Sequence, residues 1–181
     1  MTVTNSATSP TKSPVIIREG KISDGKALNA YIRTIFETTD HLITRPSEFK
    51  MGAWRQRRWI AQKLMDPVET CLVALADGEI VGMLDNWTDK RGRVTHATCF
   101  SMSVKKGWRC KGVGADLLGH FIQWVKAHKR LTRIELHVHS DNKHALALYK
   151  KVGFELEGTR KKAVFYEDGR VVDDHIMAFW P

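Results

Sequence analysis

Apolar residues recur along this chain first at helical and then at strand spacing. Val15-Ile16-Ile17-Arg18 reads as a first strand. Ala27, Leu28, Tyr31, Ile32, Ile35 and Phe36 then fall on one face of a helix that Ser23 can cap. Thr38 to Pro46 is a break. Phe49, Trp54, Trp59, Ile60 and Leu64 mark a second helix, capped by Ser47 and ended near Asp66-Pro67, because proline cannot continue it. The period then changes to two. Thr70 to Ala76 reads as a buried strand, Asp77-Gly78 as a hairpin turn, and Ile80 to Leu84 as the returning arm. A charged loop, Asp89 to Arg93, precedes a long strand over Val94 to Val104. Val113, Leu117, Leu118, Phe121, Trp124 and Val125 return to helical spacing as core positions. Ile134 to Val138 alternates as a strand. Ser140 or Asp141 can cap a short helix carrying Ala145, Leu148, Tyr149 and Val152, with Gly153 at its stop. Strands around Phe154 to Tyr166 and Val171 to Phe179, joined at Asp168-Gly169, close the chain. This order predicts an α/β (α+β) domain around a mixed sheet.

Residues 1–14 are rich in Ser, Thr, Asn and Pro, which predicts a disordered tail before a single domain over 15–181. Nothing approaches a membrane span and the N-terminus has no apolar signal core, so a cytoplasmic protein is expected. Cys71, Cys99 and Cys110 form no Cys-x-x-Cys pair, so neither a disulfide framework nor a zinc knuckle is indicated. Lys plus Arg number 29 against 20 Asp plus Glu, a net charge of +9 that attracts polyanions without choosing among nucleic acid, ribosome surface and a phosphorylated cofactor. Arg55, Arg57, Arg58, Lys63 and the run Arg160-Lys161-Lys162 read either as solvated faces or as a surface for an acidic acceptor or the ribosome. Either way they disfavour a polycationic acceptor.

The chemistry concentrates where the long strand meets the apolar helix, in Val104-Lys105-Lys106-Gly107-Trp108-Arg109-Cys110-Lys111-Gly112-Val113-Gly114-Ala115. A basic turn at a helix start offers free backbone N–H groups and the positive end of the helix dipole to an anion such as a diphosphate. Gly112 and Gly114, lacking Cβ, let it come close. A Walker loop fails, since Val113 and Gly114 follow Gly112 where Lys and Ser or Thr are required. A dinucleotide fingerprint fails at Leu117. A basic turn that merely starts a helix remains the alternative.

The spacing Arg109-x-x-Gly112-x-Gly114, followed by Leu117-Leu118, resembles the acetyl-coenzyme A loop of the GNAT family of N-acetyltransferases. Leu136 to Glu155, with Asn142, Ala145 and Leu148-Tyr149-x-x-x-Gly153-Phe154, resembles the second half of the same signature. Together the halves carry a resemblance over Val15 to Trp180. Gly158-Thr159-Arg160 and Asp168 to Asp173 resemble the bacterial branch of amino-acid, phosphinothricin and ribosomal-protein acetyltransferases. The resemblance implies one domain with a mixed, mostly antiparallel sheet of about six or seven strands flanked by helices. It also implies an acyltransferase that moves the acetyl group of acetyl-CoA directly to a primary amine. A small or amino-acid-like acceptor is favoured over a protein or ribosomal-protein amine.

Carried onto this sequence, the resemblance places the pantetheine arm beside Ser101-Met102-Ser103-Val104. It places the diphosphate on Arg109, Cys110, Lys111, Gly112, Val113, Gly114 and Ala115, and a further cofactor contact at Asn142. Cys110 stands where many relatives have glycine, a change of little weight if its φ is negative. A backbone N–H around Met102 can meet the developing oxyanion. Tyr149, near the sulfur in the family, is the expected general acid for the leaving thiolate. A lysine-like amine costs roughly 4 to 5 kcal/mol to hold neutral at pH 7, so a base or a desolvating site is needed. Some relatives carry a glutamate on the fourth strand, but Cys99 stands there. Glu37 and Glu48, in or near the break where the family shapes its acceptor site, become the candidate bases. His137 and His139 share one side of a strand and can serve as base or metal ligand, but two His without a third ligand make a poor zinc site, so no metal is expected. A homodimer would suit the family. The rival class is a basic nucleic-acid- or coenzyme A-binding module without turnover. The retained Tyr149 and the lack of an aromatic-plus-basic stacking motif disfavour it, so no specific nucleic-acid partner is expected.

Overall fold

The computed structural model describes residues 14–181. The tail expected over 1–14 therefore lies, but for Pro14, outside the described residues. Seven strands, β1 (Ile16–Glu19), β2 (Cys71–Ala76), β3 (Glu79–Thr88), β4 (Ala97–Val104), β5 (Arg133–His139), β6 (Glu155–Phe165) and β7 (Val171–Phe179), form one sheet. Its order is β1-β2-β3-β4-β5-β7-β6, and among the described residues only β4 and β5 pair in parallel. Four helices cover it: α1 (Gly25–Thr38), α2 (Ala53–Met65), α3 (Val113–Ala127) and α4 (Lys143–Val152).

Strand alternation decides which face each helix takes. Phe100 points to one face and meets Phe121 of α3 and Tyr149 of α4, with ring centroids 5.4 and 5.9 Å apart. Ile134, Leu136 and Val138 of β5 join that same core. A second core on the other face packs Leu28, Tyr31 and Ile35 of α1 and Ile60 of α2 against Val73, Ile80 and Met83. Gly82 is needed for the first core. A Cβ there would stand 2.9 Å from Leu117 and 3.1 Å from Val113, so α3 lies against bare strand backbone.

The helix starts differ from the sequence expectation. Ser23 does not cap α1. A short 3₁₀ turn, Ile22–Asp24, precedes it, and Asp24 accepts from the Lys21 N–H (2.7 Å) and from Arg18 (2.6 Å). Ser47 likewise lies in a 3₁₀ turn, Pro46–Glu48, and α2 begins later, after Gly52. The α4 cap is Asn142, whose side-chain oxygen accepts the Ala145 N–H (3.2 Å), rather than Ser140 or Asp141. The stop at Gly153 (φ 106°) and the turn at Asp77-Gly78 are as expected. Lys63 is no solvated face: it is buried against Glu69 (3.0 Å) and Asp85 (3.6 Å).

Candidate active site

β4 and β5 pair only from Ala97↔Arg133 to Cys99↔Glu135. Beyond that point the strands part. β4 keeps its β3 partner through Gly82↔Val104, so its other edge over 101–104 is left without a ladder. An extended amide-bearing chain can pair with such an edge. The gap is a cleft of about 390 Å³. Met102, Ser103 and Val104 line it from β4, Trp108, Arg109, Cys110, Gly112, Gly114 and Ala115 from the loop and the start of α3, and Asn142, Ala145 and Leu148 from the cap and body of α4.

At its end lies the start of α3. The N–H groups of Gly112, Val113, Gly114 and Ala115 find no acceptor among the described residues, and the first bond of the turn runs from Asp116 N to Gly112 O (3.0 Å). Gly112 has φ 92°, which turns the chain into the helix. A Cβ on Gly114 would lie 3.4 Å from Leu148 and 3.6 Å from Met102, where it would narrow the cleft wall. These open donors, the helix dipole and the glycine cradle fit a diphosphate.

Cys110 has φ 58°, so the condition for its harmlessness is not met. A cysteine holds the left-handed backbone that glycine adopts freely. Arg109 lines the cleft, yet its guanidinium donates to the carbonyls of Val104 (3.0 Å) and Thr38 (3.3 Å) and so ties the loop to β4 and to the C-terminal end of α1. Lys111 lies over the Trp108 ring at 5.4 Å, and Val113 is buried under Gly82 rather than in the cleft. Asn142 spends its side-chain oxygen on the α4 cap, which leaves its amide N–H groups for a ligand. On the far face Tyr31 donates to the Ser103 carbonyl (2.9 Å) and steadies β4.

Tyr149 packs its ring against Phe100 and Phe154. Burial pushes its hydroxyl above the usual tyrosine range, and that hydroxyl makes no hydrogen bond among the described residues. Neither candidate carboxylate reaches the cleft. Glu37 is exposed, two positions past the buried Ile35 and so off the inward face of α1. Glu48 is exposed and accepts the Arg45 N–H (2.9 Å) in the 3₁₀ turn.

The two histidines of β5 separate in use. His137 and Arg160 both donate to the buried Asp174, at 2.8 and 2.5 Å. His139 instead meets His41 and Asp141, whose donor atoms all lie within 4.8 Å of one another. The hydroxyl of Tyr166 stands among all three. Burial holds His139 below the usual histidine range. Burial, with the carboxylate of Asp141 beside it, pushes Tyr166 up to about 12. His41 lines the cleft and was not marked by any sequence motif. Its partners lie 98 to 125 residues further along the chain, from His139 (98) and Asp141 (100) to Tyr166 (125).

A sheet split beside an unpaired strand edge, ending on open helix-start donors, has the room and the donors for a long, extended arm bearing a diphosphate. The model of the acetyltransferase (GNAT) family matches residues 34–154, and the chain belongs to that family. It is 40% identical over 107 residues to the L-amino acid N-acetyltransferase AaaT of Escherichia coli, a match spanning 59% of this chain and 65% of that one. A GNAT-family acetyltransferase from Streptococcus pneumoniae superposes with a TM-score of 0.90 at 26% identity, over 93% of this chain and all (100%) of that one. yncA of Salmonella typhimurium, solved with its cofactor acetyl-CoA, shares the fold with a TM-score of 0.79 at 17% identity, over 92% and 93% of the chains. Among the described residues no helix is long and apolar enough to cross a membrane.

Proposed function

We propose that this chain transfers the acetyl group of acetyl-CoA to the primary amine of a small, amino-acid-like acceptor. The observation that carries the reading is the continuity of the unpaired β4 edge with the open N–H groups of Gly112 to Ala115. The Escherichia coli relative, named for L-amino acids, supports the acceptor class. In this reading the 101–104 edge holds the pantetheine arm and the start of α3 holds the diphosphate. The amide of Asn142 donates to the arm between them.

Acetyl-CoA, as co-substrate, supplies a thioester whose carbonyl carbon the amine nitrogen attacks, so that a C–N bond forms and the C–S bond breaks. A backbone N–H near Met102 meets the charge that develops on the carbonyl oxygen. Tyr149, whose hydroxyl has no hydrogen-bond partner among the described residues, gives its proton to the leaving thiolate and regains one from the new amide nitrogen. The α-amino group of a free amino acid, its pKa raised by its own carboxylate above the roughly 8 of a peptide N-terminus, is almost wholly ammonium at pH 7. A lysine-like amine is neutral in only about one molecule in 2,500 at pH 7, so either acceptor needs a base to free its nitrogen. The exposed arginines of α2, Arg55, Arg57 and Arg58, beside the exposed Trp54, support a protein amine as the second reading.

The test mixes the full chain with acetyl-CoA and a panel of amino acids, amino-acid analogues, polyamines, aminoglycosides and peptides, and reads free thiol and acetylated product. Thiol release with amino acids is expected. Release only with peptides would move the acceptor to protein, and release with none would refute the transfer reading.

A further inference from the structure

Four segments distant in sequence meet beside the cleft where β5 runs into α4. They bring His41 from the loop after α1, His139 from the end of β5, Asp141 from the turn after it, and Tyr166 from just past β6. The Tyr166 oxygen lies 2.8 Å from His139 Nδ1, 3.3 Å from His41 Nδ1 and 3.2 Å from Asp141 Oδ1. Asp141 Oδ1 is itself 3.6 Å from His41 Nδ1. Arg170 donates to the other carboxylate oxygen (3.1 Å) and lies over the Tyr166 ring at 4.6 Å.

One placement of protons satisfies every contact. A carboxylate only accepts, so Tyr166 donates its single proton to Asp141. The tyrosine oxygen is then left with lone pairs alone, and both histidines must donate to it. Each ring therefore carries its hydrogen on Nδ1 and a bare lone pair on Nε2. His139 is 5% exposed. His41 lines the cleft with its side chain 36% exposed, so its bare nitrogen is the one that a ligand can reach.

We propose that His41 Nε2 is the base that takes a proton from the acceptor's ammonium, with Tyr166 and Asp141 as positioning residues. This rests on the acetyl-transfer reading and supplies the base that Glu37 and Glu48 do not. One ammonium N–H bond breaks and its electron pair stays on nitrogen, which becomes the free nucleophile. The proton bonds to Nε2, the new imidazolium stands beside the Asp141 carboxylate, and it passes the proton on to solvent. The arrangement is a histidine oriented through its far nitrogen. The charged and titratable groups around it are Asp141, Tyr166, His139 and Arg170, then Asp40 and Asp174, with His144 and Arg109 on the cleft wall. The His139 ring stands edge-on at 6.2 Å and, being buried and neutral, sets no like charge against the imidazolium.

Two measurements on the full chain test this. Ring-nitrogen NMR at neutral pH, with no acceptor present, should show His41 in the Nδ1–H form, and Tyr166→Phe should weaken that preference. An Nε2–H ring overturns the assignment. Next, kcat/KM is followed from about pH 6 to 9 with an accepted amine. His41→Gln should lose about 10²-fold at pH 7 and recover steadily as the acceptor loses its own proton, with coenzyme A affinity unchanged. An equal loss at every pH, or none, overturns the role. If no amine is turned over by the unaltered chain, the acceptor reading fails, and the ring tautomer still decides the assignment of the base.

Discussion

Replacing Gly112 by alanine isolates what the loop backbone does. Gly112 has φ 92°, and a Cβ there would meet nothing nearer than Asp116 Oδ2 at 3.9 Å, so the substitution acts through torsion and not through a clash. Holding alanine in that region costs about 1–2 kcal/mol. Alanine also restricts the unfolded chain, which returns about 0.4–1 kcal/mol. The net loss of stability is therefore about 0–1.6 kcal/mol, under about 6 °C in melting temperature for a chain of this size. Binding should suffer more. If the turn relaxes to negative φ, the N–H groups at the start of α3 re-aim, and each hydrogen bond to a charged group is worth about 1.5–3 kcal/mol. One lost bond means roughly ten- to more than hundred-fold weaker binding. Calorimetric titration with acetyl-CoA should show that loss, and titration with S-acetylpantetheine, which lacks the diphosphate, should not. Equal losses with both ligands, or unchanged affinity for acetyl-CoA, would refute the assignment of these donors to the diphosphate.

Tyr149→Phe should lower kcat by about 10- to 10²-fold and leave the melting temperature within about 2 °C, because the hydroxyl has no hydrogen-bond partner to lose among the described residues. Pre-steady-state thiol release and a melting curve check both halves. Gly82→Val should cost about 1–3 kcal/mol by pushing Val113 and Leu117, and should weaken coenzyme A binding without touching the cleft; urea unfolding and titration read the two effects. His139 is held neutral by burial, so the unfolded chain binds its proton more readily. Stability should fall as pH drops below about 6.5, through the lowered native value, and the slope over that window should shrink in His139→Gln, as read by melting temperature against pH.

How far the sequence carries depends on the range of each interaction. The α3 loop was legible because its determinants are contiguous: two glycines, a cluster of cations and an apolar helix with a clear period. The strands were legible from alternation, although β3 runs on to Thr88, past the expected Leu84, because β4 pairs with it along its length. The caps at Ser23 and Ser47 failed because acidic neighbours close 3₁₀ turns there instead, Asp24 with Arg18 and the Lys21 N–H and Glu48 with the Arg45 N–H. Glu37 was misjudged by phase: the positions around the buried Tyr31 and Ile35 point inward, and Glu37 lies off that stripe. The φ of Cys110 has no local signature, because cysteine ordinarily avoids it. His41 could not be found from any window, as its partners arrive from the end of β5, the turn after it and the residue just past β6 only once the sheet has closed. His137 and His139 looked equivalent in the strand, and only their tertiary partners divide them, Asp174 for His137 and Tyr166 for His139.

The account rests on a cleft that grips acetyl-CoA by strand edge and helix start together. Backbone amide NMR of the full chain during titration with acetyl-CoA tests this most directly. Saturable shifts are expected at residues 101–104 and 112–115, appearing at one affinity. Shifts confined to the basic face of α2, or none in those two segments at saturation, would contradict it.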